Sequence, residues 1–264
     1  MLVHSLPAEP QPAPCASADV VRAGRHLSAY VLGYATFRSG TGAAIHHRVL
    51  PVAGAALVID LDGHGAVLTG PRARAAVAAQ RWGRGVTAGL TPAGVRAVFG
   101  MPMGELAGAT VPFEEAELVE RLAAAGDDRL AILDGWVRRK IRDARQGVDP
   151  RIVMAWARLQ RPDAEPGVGV LAARLGIRRR LLEQGFRQHV GIAPGAVARI
   201  ARLQRAIGML AGRVALARVA ADCGYADQPH LTRDVRAMCG CTPGELRRHL
   251  HLAQSFKTPS PGLA

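Results

Sequence analysis

One internal repeat in the C-terminal half of this 264-residue chain restricts the possible folds more than any other feature. Residues 171–177 (LAARLGI) parallel residues 219–225 (VAADCGY). Four landmarks then follow in each copy, at spacings of four, five and three residues. They are Leu182, Phe186, Gly191 and Pro194 in the first copy, and Leu231, Val235, Gly240 and Pro243 in the second. A short helix, a glycine turn and a longer helix make up the helix-turn-helix plan, in which the second helix enters the major groove of DNA.

The rest of residues 147–250 also has the apolar periodicity of helices, so we expect an all-α domain there. Residues 195–211 form the predicted linker helix between the two repeats. A helix of this length would be roughly 25 Å long. Two reading helices held at such a distance could reach adjacent turns of the major groove, which are roughly 34 Å apart.

The charge of the chain lies mostly in the same half. The formal net charge is +13, of which +2 belongs to residues 1–150 and +11 to residues 151–264. Nearly all of the cations are Arg, whose forked guanidinium suits phosphate and guanine. This asymmetry indicates that the C-terminal half binds a polyanion.

The N-terminal half has a different pattern. Residues 25–146 read as short strands and turns followed by helices, and residues 55–61 and 66–69 predict a β-hairpin. The expected fold class is therefore an α+β N-terminal domain followed by the all-α domain. Residues 1–24 and 251–264 are predicted to be flexible tails. The N-terminus lacks the apolar stretch of a signal peptide, and no apolar run is long enough to span a membrane, so a cytoplasmic protein is expected.

A second motif follows the glycine turn of the second repeat. Residues 224–233 (GYADQPHLTR), followed by residues 240–243 (GCTP), closely resemble the signature of AraC/XylS-type transcription regulators. The resemblance covers about residues 150–250. Residues 25–146 are more weakly similar to the β-rich, cupin-like sensor domains of some members. The resemblance implies a sequence-specific DNA-binding regulator without a cofactor.

The first reading helix offers one set of candidate DNA contacts. Arg180, Gln184 and Arg187 share one face of the predicted helix, opposite the apolar stripe. Arg178 and Arg179 crowd the first turn, where backbone N–H groups already favour phosphate. By resemblance, the base-reading positions are Arg180, Glu183 and Gln184.

The second reading helix offers another set. Pro229, Arg233 and Arg236 face outward together with His230 beside them, and Asp227 is the predicted N-cap. By resemblance, the residues that face the bases are Gln228, Pro229, His230 and Arg233, whereas Thr232 contacts a phosphate.

Three residues of the first unit depart from the family pattern. Arg178 stands where a Ser cap is usual, Gln184 replaces a common Arg, and Gly185 lies within the helix, where it costs about 1 kcal/mol relative to Ala. We therefore expect the second unit to dominate specificity.

Other functions remain open at this point. His46, His47, His64 and Asp60 suggest a metal-binding or catalytic N-terminal domain, although adjacent histidines on a strand point to opposite faces. A DNA-repair methyltransferase would need an N-terminal cysteine cluster, and only Cys15 is there. Non-specific binding of nucleic acid through charge is a third possibility.

The expected partner is double-stranded DNA with a bipartite promoter site. A small-molecule effector, RNA polymerase and a second copy of the chain are the candidate partners of the N-terminal domain. Cys223 is expected to be a buried thiol, and the Cys239–Cys241 pair is a weak zinc signal.

Overall fold

The computed structural model of the chain describes residues 2–8, 15–39, 44–162, 167–252 and 256–258. The N-terminal half contains two antiparallel sheets. Their strands are β1 (Leu2–Pro7), β2 (Cys15–Arg22), β3 (Val31–Ser39), β4 (Ala44–Val49), β5 (Ala55–Asp60), β6 (Ala66–Thr69), β7 (Ala76–Arg81), β8 (Arg84–Leu90), β9 (Thr110–Pro112) and β10 (Phe256–Thr258). The four-stranded sheet has the order β10-β1-β4-β7, and the six-stranded sheet has the order β2-β3-β8-β5-β6-β9.

The hairpin predicted from the sequence is confirmed as β5 and β6, with Leu57 paired to Leu68. Its turn is closed by the buried carboxylate of Asp60, which accepts hydrogen bonds from the backbone N–H groups of Asp62 (2.8 Å) and His64 (3.1 Å). The same carboxylate accepts a third bond from the N–H of Gly83 at 2.6 Å. Asp60 therefore satisfies the backbone of two loops at one end of the sheet.

Ten α-helices pack against and follow the sheets in the described part of the chain. They are α1 (Pro92–Phe99), α2 (Ala116–Ala124), α3 (Arg129–Asp143), α4 (Pro150–Leu159), α5 (Val168–Arg174), α6 (Arg179–His189), α7 (Pro194–Leu210), α8 (Leu216–Asp222), α9 (Gln228–Cys239) and α10 (Pro243–Leu252). A short 3-10 helix, Met103–Leu106, lies between α1 and α2. None of the described helices is long and apolar enough to cross a membrane.

Local sequence signals fix the starts of several helices. Thr91 accepts a hydrogen bond from the N–H of Gly94 at 3.0 Å and caps α1. Asp149 caps α4 in the same way, with Pro150 at the first helical position. Thr242 and Glu245 exchange hydrogen bonds at the start of α10 and so form a capping box.

The predicted flexible tails are wrong in part. Residues 1–24 contain β1 and β2, and residues 251–264 contain β10, which pairs with β1 at Leu2↔Thr258. The pairing of β1 with β4 and β10, and of β2 with β3, gives these short segments their hydrogen-bond partners. Residues 9–14, 253–255 and 259–264 lie outside the described residues.

One apolar core extends from the six-stranded sheet into the helices of the C-terminal half. Two polar side chains join the halves across the loop 50–54: Trp156 Nε1 of α4 donates to Ala53 O at 2.7 Å, and Gln204 Nε2 of α7 donates to Pro51 O at 2.8 Å. Both of these side chains are buried. The boundary at residue 146 stays a prediction, since the packing is continuous across it.

Candidate nucleic-acid interface

The two repeats form two helix-turn-helix units with matching backbones. In each unit a seven-residue helix, α5 or α8, precedes the reading helix, α6 or α9. The turn glycines Gly176 and Gly224 have φ of +65° and +74°, a conformation that L side chains rarely adopt. The next residue of each turn donates its N–H to the preceding helix, from Ile177 to Ala172 O and from Tyr225 to Ala220 O. The duplication predicted from the sequence is thus confirmed.

The reading helix α6 has one buried and one exposed side. Leu182, Phe186 and Val190 are fully buried and form the apolar stripe of this helix. Arg180, Gln184 and Arg187 are exposed together on the opposite side. The N-cap residue, Arg178, makes no side-chain capping bond, as expected from its side chain.

Glu183, one of the candidate base-reading residues of α6, already forms an ion pair within the helix. Arg179 Nε lies 2.8 Å from Glu183 Oε1, one helical turn further on. Glu183 is half-buried. Its carboxylate must leave Arg179, or share it, before it accepts a hydrogen bond from a cytosine amino group.

The reading helix α9 is organised in the same way. Leu231, Val235 and Met238 are buried, whereas Pro229, Arg233 and Arg236 are exposed. Asp227 caps the helix as predicted, since its Oδ1 accepts from the N–H of His230 at 2.6 Å. The second unit therefore has the capping bond that the first unit lacks.

All twelve candidate DNA contacts lie on α6, on α9 or at the N-cap of α6. The exposed ones are Arg178, Arg179, Arg180, Gln184, Arg187, Gln228, Pro229, Arg233 and Arg236. The half-buried ones are Glu183, Thr232 and His230. Their roles in contacting DNA stay predictions.

His230 is held in place by the turn before its helix. The N–H of Ala226 donates to His230 Nδ1 at 3.3 Å, and the Tyr225 ring packs edge-on against the imidazole at 5.2 Å between centroids. The guanidinium of Arg202, on α7, also lies over the Tyr225 ring, 4.6 Å from its centroid. The N–H of Ala226 thus occupies Nδ1 of His230 as its acceptor.

A buried carboxylate fastens α9 to the linker helix α7, and sequence reasoning missed it. Asp234 is 5% exposed, and its Oδ1 lies 2.6 Å from Arg199 Nη2. Its Oδ2 lies 3.6 Å from Arg202 Nη2. Two of the basic residues in the C-terminal half are thereby paired within the protein rather than free for phosphate. The only sequence signal of this role is that Asp234, an acidic residue in the middle of a basic helix, takes a buried position.

The mid-helix glycine of α6 has a packing reason that the sequence does not reveal. Gly185 occupies the position in the first unit that Asp234 occupies in the second. A Cβ added to Gly185 would lie 2.4 Å from Cδ1 and 2.8 Å from Cγ1 of Ile152, on α4. The glycine lets α4 approach α6 closely. The first reading helix is therefore supported by an aliphatic contact and the second by ion pairs.

We expect Gly185→Ala to lower the free energy of unfolding by about 1–2 kcal/mol, because the added methyl group overpacks against Ile152. In an Ile152→Ala background the same change should instead be stabilising, since the space is open and Ala favours the helix by about 1 kcal/mol. Urea denaturation of the four proteins in this cycle measures both effects. If Gly185→Ala stabilised the chain with Ile152 in place, the close contact would be refuted.

The N-terminal half contacts both reading helices at their C-terminal ends. Arg48 Nη1 on β4 donates to Cys239 O at 2.8 Å, and the N–H of Ala75 donates to Met238 O at 2.7 Å. These donors satisfy the last carbonyls of α9, where a positive charge is also favoured by the helix dipole. A Cβ added to Gly104, in the 3-10 helix, would lie 2.3 Å from Gln188 O of α6. No local pattern in the sequence indicates these contacts.

The alternative metal site does not assemble among the described residues. His46 is exposed and His47 is buried, as expected for neighbours on a strand, and Asp60 binds backbone N–H groups. No group of three His, Cys, Asp or Glu residues that could hold a metal occurs in the described ranges. Cys223 is buried as predicted, with its Sγ 3.6 Å from Met209 Sδ. Burial raises the pKa of the Cys239 thiol to about 12.

The chain matches one protein family and several solved structures. Residues 171–249 match the model of the helix-turn-helix domain family. No curated protein matches the chain. It is similar to a transcriptional regulator with an AraC-type DNA-binding domain from Chromobacterium violaceum, at 25% identity, 39% coverage of this chain, 93% coverage of that chain and a TM-score of 0.35.

Two further structures cover different parts of the chain. A probable AraC family transcriptional regulator from Rhodopseudomonas palustris is 24% identical, with 39% of this chain and 98% of that chain covered and a TM-score of 0.35. ToxT from Vibrio cholerae is 11% identical over 95% of this chain and 97% of its own, with a TM-score of 0.46.

Proposed function

We propose that the chain is a DNA-binding transcription regulator that recognises a bipartite site through α6 and α9. The match of residues 171–249 to the helix-turn-helix domain family supports this proposal. Each helix would lie in the major groove, one half-site per helix. The observation that carries the proposal is the matching exposed face of the two reading helices, with Arg180 and Gln184 on one and Pro229 and Arg233 on the other.

The linker helix supports the placement of the two readers. The seventeen residues of α7 make a rod roughly 25 Å long. One face of this rod is fully buried, including Val197, Leu203 and Leu210, so it is packed along its whole length. A rigid spacer suits two readers that must enter major grooves roughly 34 Å apart on one side of a duplex.

Charge would add affinity without adding specificity. Arginines that neutralise phosphates release counterions, so binding should weaken steeply as salt rises. Specific recognition requires in addition that hydrogen bonds from side chains such as Arg233 reach the base edges. A preferred sequence bound about 10³-fold or more above competitor DNA separates the regulator from a non-specific binder.

The site itself can be found by selecting bound sequences from random DNA with the full chain. The expected result is two short conserved blocks about one helical turn apart. A doubled site would indicate that two copies bind together. Equal affinity for every DNA sequence at moderate salt would overturn the proposal.

We expect Arg233→Ala to weaken binding to the selected site by about tenfold and to relax the preference at one base pair of its half-site, since one good contact to guanine contributes about 1–3 kcal/mol. Arg180→Ala should cost less, because α6 lacks an N-terminal cap and Glu183 is paired with Arg179. Arg121→Ala, which removes the same charge from α2, is the matched control. Footprinting of both half-sites measures the losses, and equal losses for Arg180→Ala and Arg233→Ala would contradict the dominance of the second unit.

The N-terminal half is proposed to regulate the reader. A small-molecule effector, a second copy of the chain and RNA polymerase are its candidate partners. The contacts from Arg48, Ala75 and Gly104 to the reading helices give a route by which such a partner could act on DNA binding. Transcription regulation requires access to chromosomal DNA and does not require a catalytic residue. The proposal therefore includes a cytoplasmic location and no enzymatic activity.

A further inference from the structure

One large apolar side chain projects from a reading helix. The large hydrophobic residues exposed in the described part of the chain are Val20, Val21, Val77, Met154, Val170 and Leu181. Of these, only Leu181 lies on α6 or α9, and 55% of its surface is exposed. Single exposed hydrophobic residues are ordinary on protein surfaces. What distinguishes Leu181 is its position on a reading helix.

Leu181 belongs to the outward half of α6. Its neighbour Leu182 is fully buried and marks the inward direction of the helix. Each residue turns the helix by about 100°, so Leu181 flanks Gln184 on one side of the exposed face while Arg180 and Arg187 lie on the other. It also lies in the first turn, and the N-terminal residues of a recognition helix are those that reach base edges.

The internal repeat gives Leu181 a counterpart. With Leu182 aligned to Leu231, the position of Leu181 corresponds to that of His230. His230 is half-buried against the ring of Tyr225. In the first unit, Ile177 stands in the place of Tyr225 and offers no ring. Leu181 is therefore exposed to solvent, at the position that His230, a candidate base contact, occupies in the second unit.

We propose that Leu181 contacts the C5-methyl group of a thymine in the half-site read by α6. This inference rests on the proposed function, because it needs α6 in the major groove. The thymine methyl is the apolar group that base edges present in that groove, and apolar side chains are its usual partners. Contact would remove both the leucine and the methyl from water, which is favourable for both. Leu181 thus adds a preference for thymine that none of the arginines supplies.

The test removes the methyl group and nothing else. In the selected site, each thymidine of the first half-site is replaced in turn by deoxyuridine, and the affinity of the full chain is measured at fixed salt. At one position we expect roughly a fourfold loss, the factor that corresponds to burial of one methyl group. Leu181→Ala should bind the thymine and uracil forms of that position equally well. Val170→Ala is the matched control, because Val170 has a similar exposure (56%) on α5, outside the reading helix. It should keep the preference for thymine.

The outcomes separate this inference from the function on which it rests. If Leu181→Ala retains the full preference of thymine over uracil, or if the unchanged protein shows no such position, the methyl contact is wrong while the regulator stands. The methyl contact is equally wrong if Leu181 instead serves a protein partner, since DNA affinity would then be unaffected by the change. If no preferred sequence emerges at all, both proposals fail. Thermal unfolding of Leu181→Ala and Val170→Ala checks that both remain folded.

Discussion

Replacing Trp156 with Ala should lower the free energy of unfolding by about 4 kcal/mol, which is within the usual range for removing a large aromatic side chain from a core. Trp156 is 2% exposed, and it lies on α4, where the helical half meets the loop 50–54. Its indole N–H also donates to Ala53 O at 2.7 Å, and Ala53 is itself buried. Urea denaturation followed by far-ultraviolet circular dichroism measures the loss.

The conservative variant Trp156→Phe separates the two contributions. It keeps most of the ring but leaves Ala53 O without its donor, and an unsatisfied buried carbonyl costs about 1–3 kcal/mol. We therefore expect Trp156→Phe to lose about half as much as Trp156→Ala. A loss below about 1 kcal/mol for Trp156→Ala would show that the two halves do not depend on this side chain.

Acidification should destabilise the protein through His47. This residue lies on β4 and is 2% exposed, and burial lowers its pKa from 6.5 to about 4. Between these two pH values the unfolded chain binds a proton on His47 that the folded chain does not. The stabilising effect of a neutral His47 is thus complete above pH 6.5 and is lost as the pH falls toward 4. The shift corresponds to about 3 kcal/mol, at about 1.4 kcal/mol per pKa unit.

The comparison with His47→Gln isolates this effect from the titration of other groups. The unfolding free energy is measured by urea denaturation at pH 4 and at pH 7 for each protein. The drop between the two pH values should be about 3 kcal/mol smaller for His47→Gln than for the unchanged chain. His46→Gln, on the exposed face of the same strand, is the control and should leave the drop as it is. An equal drop in His47→Gln and the unchanged chain would contradict a neutral, buried His47.

The helical half was the more predictable part of the fold, since its determinants are local. The apolar period, the turn glycines Gly176 and Gly224 and the cap Asp227 act within a few residues of one another. Strand β1 could not be predicted for the opposite reason. Leu2 pairs with Thr258, at the far end of the chain, and no window of sequence shows that neighbour.

The same distinction applies to the candidate interface. Helical geometry alone placed Arg180, Gln184 and Arg233 on exposed faces, and the structure agrees. The supports behind the two helices could not be predicted, because their partners come from other elements. By helix propensity alone Gly185 is a weak point, yet it accommodates Ile152 from a different helix. Asp234 has the character of a surface residue until Arg199 and Arg202 of α7 surround it.

The hydrogen-bond donors at the C-terminal end of α9 come from the N-terminal half, and this affects how a C-terminal fragment would bind DNA. A shortened protein that began near residue 150 would lack Arg48 and Ala75, and the carbonyls of Met238 and Cys239 would then face water. Fraying would start at that terminus, and the orientation of Arg233 and Arg236 would become less defined. We expect such a fragment to discriminate poorly between sequences at the second half-site. The N-terminal half thus completes the C-terminal end of α9, and its removal should affect DNA reading as a substitution within that helix would.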